Sequence, residues 1–100
     1  MNMETSNYNE LNQFIIDHYG ADRQTNLATE ELAELIQAIN KMKRYPDGII
    51  HRQQLIEEMA DVRIMLDQLQ LIYNIDFEDI AKVVGYKIGR ELKRIERGNI

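Results

Sequence analysis

An all-α fold is what this sequence predicts: a bundle of four helices, a short first one and three longer ones, completed by oligomerisation. Three observations lead there. Breakers are scarce, with one proline and five glycines in 100 residues, so long stretches run without a residue that interrupts a helix. Apolar residues recur at steps of three and four, not in alternation. Turn signals, where they occur, cut the chain into pieces of helical length, at Gly20, at Tyr45-Pro46-Asp47-Gly48 and at Gly98.

Each element has its own warrant. Asn7 and Glu10 form a capping box for a first helix over 7–18, which Gly20 stops. Ala21 to Thr25 reads as a loop. The second helix runs from Asn26 to Arg44 and ends where Pro46 and Asp47-Gly48 specify a turn. The third starts near His51 and continues to about Tyr73. Asp76 suits the N-cap of a fourth helix from Phe77 to about Arg97, with Gly98 as its stop.

One hundred residues make a single domain over 1–100, with a core small enough that association would help it. The net charge is −5, from 17 acidic and 12 basic residues, which argues against a nucleic acid polymer as partner. Cysteine is absent, which excludes disulfides, thiolate zinc sites and thiol nucleophiles. The start, Met1-Asn2-Met3-Glu4-Thr5-Ser6, has neither the basic region nor the apolar run of a signal peptide, and no apolar stretch reaches membrane-spanning length. A cytoplasmic protein with no membrane partner is the expectation.

Two acidic words carry the chemistry: Glu30-Glu31-Leu32-Ala33-Glu34 and Glu57-Glu58-Met59-Ala60-Asp61. Glu31 with Glu34, and Glu58 with Asp61, stand three residues apart and so project from one side of their helices. The expected core seams are Ala28, Leu32, Leu35, Ile39 and Met42 on the second helix, and Leu55, Met59, Val62, Leu66, Leu69 and Tyr73 on the third. Each first carboxylate flanks its seam by about 60°. A single Glu there is ordinarily a solvated shoulder. Here, however, Glu30, Glu31 and Glu34 have no Lys or Arg three or four residues on, and clustered like charges repel unless a cation lies between them. Four carboxylates from two packed helices suit Mg²⁺, or Mn²⁺. Glu-x-x-His pairs of the di-iron type are absent, and His18 and His51 read as surface or capping residues.

The last helix is basic. Half of the Lys and Arg residues lie between Lys82 and Arg97, and Lys87, Arg90, Arg94 and Arg97 share a face, opposite an apolar seam of Phe77, Ile80, Ala81, Val84, Ile88 and Ile95. The macrodipole alone favours cations near a helix C-terminus. Beside an acidic metal site, the same face suits a polyphosphate, whose charge exceeds what the cation neutralises.

Glu30-Glu31-x-x-Glu34, then 23 residues, then Glu58-x-x-Asp61 resembles the signature of the MazG-like nucleotide pyrophosphohydrolases, in the all-α NTP pyrophosphatase superfamily. The surrounding words, Glu30 to Ala38 and Glu57 to Val62, look like small single-domain members, and the likeness covers about residues 24–97. It implies Mg²⁺-dependent hydrolysis of a nucleoside triphosphate to the monophosphate and pyrophosphate. It implies Glu31, Glu34, Glu58 and Asp61 as metal ligands and catalytic residues, and Lys87 and Arg94, with Arg90, as phosphate contacts. Glu30 belongs to the signature, yet the helical wheel turns it away, leaving a supporting role or water activation open. Gln24, in the loop, and Tyr86, beside Lys87, are candidates for base and sugar contacts, against the plainer readings of a polar loop residue and a packing tyrosine.

Ile64, Met65 and Ile72 make the third helix apolar around much of its circumference, as in helices buried from several sides. A homodimer or homotetramer, frequent in the family, would cover it; an unrelated partner is the rival account. Two other functions compete with triphosphate hydrolysis: phosphoribosyl-ATP hydrolysis within the same superfamily, and a non-catalytic helical interaction module.

Overall fold

The computed structural model of the chain describes residues 5–98, with side-chain surroundings from Tyr8 onward. Met1–Glu4, where a signal peptide was not expected, lie outside the described residues. Four helices follow one another: α1 Thr5–Tyr19, α2 Ala21–Arg44, α3 Ile49–Ile72 and α4 Phe77–Glu96. Among the described residues there is no strand, and no helix is long and apolar enough to cross a membrane.

Helix order and number agree with the periodicity; the ends differ at three places. Asn7 is already inside α1, so the helix begins before it. Ala21 to Thr25 is the first turn of α2 and not a loop. Gly20 alone separates the two helices, at φ 94° and ψ 145°, a conformation nearly confined to glycine. Its N–H donates to the Ile16 carbonyl at 2.7 Å, and its own carbonyl accepts from Gln24 N–H at 3.1 Å. One residue with the right backbone therefore does the work expected of five. Helix α3 begins two residues before His51, directly after the turn in which Gly48 N–H donates to the Tyr45 carbonyl at 3.0 Å.

At the end of α3, Asn74 takes φ 53°. Ile75 N–H reaches back to the Gln70 carbonyl at 2.9 Å and Asn74 N–H to Leu71 at 3.4 Å. This is a Schellman stop with asparagine in place of the usual glycine. Asp76 occupies the N-cap of α4 without a side-chain hydrogen bond to the helix. Gly98, at φ 74°, closes α4 with its N–H on the Ile95 carbonyl.

Helices α2 and α3 form the principal pair, joined by the tight turn and running antiparallel, and α1 packs across both. Among the described residues, the buried apolar side chains are Ile16, Ala28, Ala38, Val62 and Met65. The expected seams hold in part, since Ala28 and Val62 are buried and Leu35, Met42, Leu55 and Leu69 half-buried, but the contact line is rotated from their centre. On α2, Ala28 and Ala38 are buried while Leu32 and Ile39 are exposed. On α3, Val62 and Met65 are buried while Met59, Leu66 and Tyr73 are exposed. The physical reason is that the apolar stripe in the sequence is broader than the face one neighbour can cover, so its centre does not mark the contact line.

Helix α4 has no buried residue and no substantial packing on α1, α2 or α3. Its predicted seam lies open, with Phe77 67 %, Ile88 57 % and Ile95 61 % exposed. The radius of gyration is 16.8 Å, against about 13 Å for a closed domain of 100 residues.

Candidate metal centre

The register of α2 against α3 builds the site. Gln24 Nε2 donates to Gln68 Oε1 at 2.9 Å across the pair. Seven residues on from Gln24 is Glu31, and seven back from Gln68 is Asp61; three further on each helix are Glu34 and Glu58. The carboxylates follow this pairing. Asp61 is the strongest charge acting on Glu31, and Glu34 the strongest acting on Glu58. Residues that flank the apolar stripe in the sequence therefore stand on the actual contact line.

Oxygens of Glu31, Glu34 and Glu58 lie within 4.8 Å of one another. Asp61 lies outside that set but beside it, since its charge reaches both Glu31 and Glu58. Glu31, Glu58 and Asp61 are half-buried and Glu34 is exposed. Glu31 Oε2 and Glu58 Oε2 are both buried with no hydrogen-bond partner. Burial, then the charges of Asp61 and Glu34, lift the pKa of Glu31 from 4.5 to about 7, and contacts with the Asp61 and Glu58 carboxyls add to this. Burial and then the Glu34 charge lift Glu58 in the same direction, against a lowering contact with Glu31. Among the described residues, no cation acts on either carboxylate.

This donor set suits a hard divalent ion. It offers only carboxylate oxygens, some of them desolvated and unpartnered, at a spacing that one oxygen-coordinated cation can bridge. The cost of gathering these charges is what such an ion would remove.

Helix α4 does not bring Lys87, Arg90 and Arg94 to this cluster. Arg94 instead pairs with Glu91 on its own helix at 2.7 Å, and Arg90 lies 5.9 Å from the centre of the Tyr86 ring. Tyr86 is exposed on the same helix. Glu30 faces solvent, as the wheel indicates. Gln24 is placed unlike a loop residue: it is 3 % exposed, inside α2, and committed to Gln68.

Two features escape a reading of the sequence. One is a buried chain of amides, in which Gln68 Nε2 also donates to Asn12 Oδ1 at 3.1 Å and so ties α1 to α3. Its signal is the seven-residue step from Gln24 to Glu31 and from Asp61 to Gln68, mirrored in order as an antiparallel pair requires. The other is a cleft of about 360 Å³ that adjoins the cluster, lined by Glu34, Gln37, Ala38, Lys41, Gln54, Glu57 and Glu58. Lys41, seven residues beyond Glu34, is its cation. At the end of the helix pair, Tyr45 and His51 stack at 4.9 Å between ring centres, which gives His51 a packing role. Compared with models of protein families, with curated proteins and with solved structures, the chain matches none.

Proposed function

We propose that the chain is a Mg²⁺-dependent nucleoside triphosphate pyrophosphohydrolase of the MazG-like kind. The observation that carries the reading is the convergence of Glu31, Glu34 and Glu58 from two helices, with a desolvated, unpartnered oxygen on each helix. Glu31, Glu34, Glu58 and Asp61 would hold the cation. When bound, it supplies positive charge to the phosphate oxygens and a water of lowered pKa.

The chain's own residues fix where that happens. The α2–α3 register sets the four carboxylates, and the amide chain behind them holds that register. In the reaction, water oxygen bonds to the α-phosphorus, the bond from that phosphorus to the bridging oxygen breaks, and pyrophosphate leaves. A carboxylate of the cluster takes the water's proton. The basic face of α4 belongs to the reading through association. An unpacked amphipathic helix in one copy is free to lay its apolar seam on a second copy, which would carry Lys87, Arg90 and Arg94 to a substrate there. A homodimer or homotetramer follows, in the cytoplasm.

The test is pyrophosphate release from a panel of ribo- and deoxyribonucleoside triphosphates and phosphoribosyl-ATP, with Mg²⁺. Release from at least one triphosphate is expected. Glu58→Gln should lower it by at least about 100-fold, beyond the loss of a merely supporting partner, and weaken Mn²⁺ binding in parallel. Turnover of phosphoribosyl-ATP alone would move the assignment to that hydrolase. No turnover, with unchanged metal binding in Glu58→Gln, would leave a helical interaction module.

A further inference from the structure

The cleft beside the acidic cluster has a polar lining of unusual make-up. Ala38 is its single apolar member, and it has no aromatic ring. A seat for a nucleobase is mainly apolar or aromatic, with a few polar groups for orientation. This cleft instead presents one ammonium, Lys41, and two amides, Gln37 and Gln54, next to the carboxylates of Glu34 and Glu58.

Lys41 is also unpaired. It shares the cleft with three carboxylates, yet the one ion pair within 4.0 Å among the described residues is Arg94 with Glu91. The space between the ammonium and the acids is therefore open. On α2, Glu34, Gln37, Ala38 and Lys41 form a single ridge, and on α3 Gln54, Glu57, Glu58 and Asp61 form its counterpart. The register that sets Glu34 against Glu58 places Ala38 level with Gln54 and Lys41 level with His51. Lys41 thus lies about 10 Å along the helix axis from Glu34, on a flexible four-carbon stem that can reach back.

The other end of the seam is shut. Beyond Glu31 and Asp61 come Gln24 and Gln68, 3 % and 2 % exposed, joined to each other and to Asn12. A chain of phosphates anchored at the cluster has one direction open to it along the helix pair, toward Lys41.

We infer that the cleft between α2 and α3 is the pyrophosphate subsite, with Lys41 as its cationic contact and Gln37 and Gln54 as neutral donors. The inference rests on the proposed pyrophosphohydrolase reading and gives the leaving group a place within one chain, independent of α4. Three acids line the cleft, so an anion enters only when a divalent cation is bound to them. Pyrophosphate binding should therefore depend on Mg²⁺ and Lys41 together. A charge-assisted hydrogen bond from Lys41 should hold the ligand about tenfold or more tighter than no contact.

The experiment is titration calorimetry of the full chain with inorganic pyrophosphate and, separately, with a nucleoside monophosphate, each with and without Mg²⁺. Wild type should bind pyrophosphate only with Mg²⁺. Lys41→Met should weaken that binding about tenfold or more and leave monophosphate and Mn²⁺ affinity unchanged, while Lys41→Arg keeps most of it. Lys41 is exposed, so folding is not at issue, and circular dichroism verifies it. Unaltered pyrophosphate affinity in Lys41→Met, with wild type binding normally, would overturn this inference and spare the pyrophosphohydrolase reading. Equal weakening of monophosphate and pyrophosphate would make the cleft a nucleotide seat and overturn it as well. Wild type that binds no pyrophosphate with Mg²⁺ would overturn this inference, and triphosphate turnover then decides the pyrophosphohydrolase reading separately.

Discussion

At the scale of single residues, the acidic cluster is a place where local stability is given up. Glu31 ionises near 4.5 in an unfolded chain and at about 7 in the folded one. The folded state holds the proton more tightly, so between these values the unfolded chain binds fewer protons and stability falls as pH rises. The contribution is complete below about pH 4.5 and gone above pH 7, and Glu58 acts in the same direction. Metal-free protein should therefore melt higher at about pH 5 than at about pH 7.5. Thermal unfolding with a chelator measures this against Glu31→Gln, which should flatten the slope and melt higher than wild type at the upper pH while losing metal affinity. Equal slopes in the two proteins would show that Glu31 carries no such strain. The acids themselves were legible in the sequence, because i,i+3 pairs define a face regardless of packing. Their depth was not. Placing them on a shoulder assumed that apolar residues mark the contact line, and here Leu32 and Met59 face outward.

At the scale of elements, number and order were legible because glycine, proline and aspartate act through local backbone geometry. The turn at Pro46 and the stop at Gly98 need no tertiary knowledge. The junction at Gly20 is not legible for the opposite reason: Ala21 to Thr25 look like loop residues, and their helical state depends on packing of Gln24 and Ala28. The amide chain of Asn12, Gln68 and Gln24 was illegible for a related cause, since glutamine in a helix is ordinarily exposed. It now makes a definite prediction. Gln68→Met strands Gln24 Nε2 and Asn12 Oδ1 in a buried place, which should cost roughly 1–3 kcal/mol. Gln24 Oε1 already lacks a partner, so Gln24→Met removes an unsatisfied group along with a satisfied one. The double variant should then be less destabilised than the sum of the singles, by about 0.5 kcal/mol or more. Denaturant unfolding of the four proteins gives the coupling. Strict additivity would mean that Gln24 and Gln68 do not act as a unit.

At the scale of the whole molecule, one chain leaves a large apolar surface uncovered. Its buried apolar side chains are few and include two alanines, and Ile36, Met59, Leu66, Phe77, Ile88 and Ile95 are all exposed. A core of that size gives little stability to a 100-residue chain. The radius of gyration, 16.8 Å, is that of an open arrangement in which α4 stands clear of the other three helices. Under the proposed association, a second copy would cover these apolar faces and leave the acidic cluster between α2 and α3 intact. The apolar circumference of α3 is legible in the sequence, while the unpacked state of α4 is not, since its seam reads like any other amphipathic helix. Ile88→Glu decides the matter. On an isolated chain that residue is already exposed, and its replacement should change stability by no more than about 0.5 kcal/mol. In an assembly it buries a charge, so the variant should sediment as a monomer and melt well below wild type, whose own melting temperature should rise with protein concentration. Wild type that sediments as a monomer at about 100 µM, with a melting temperature independent of concentration and indifferent to Ile88→Glu, would show that the open single chain is the working form.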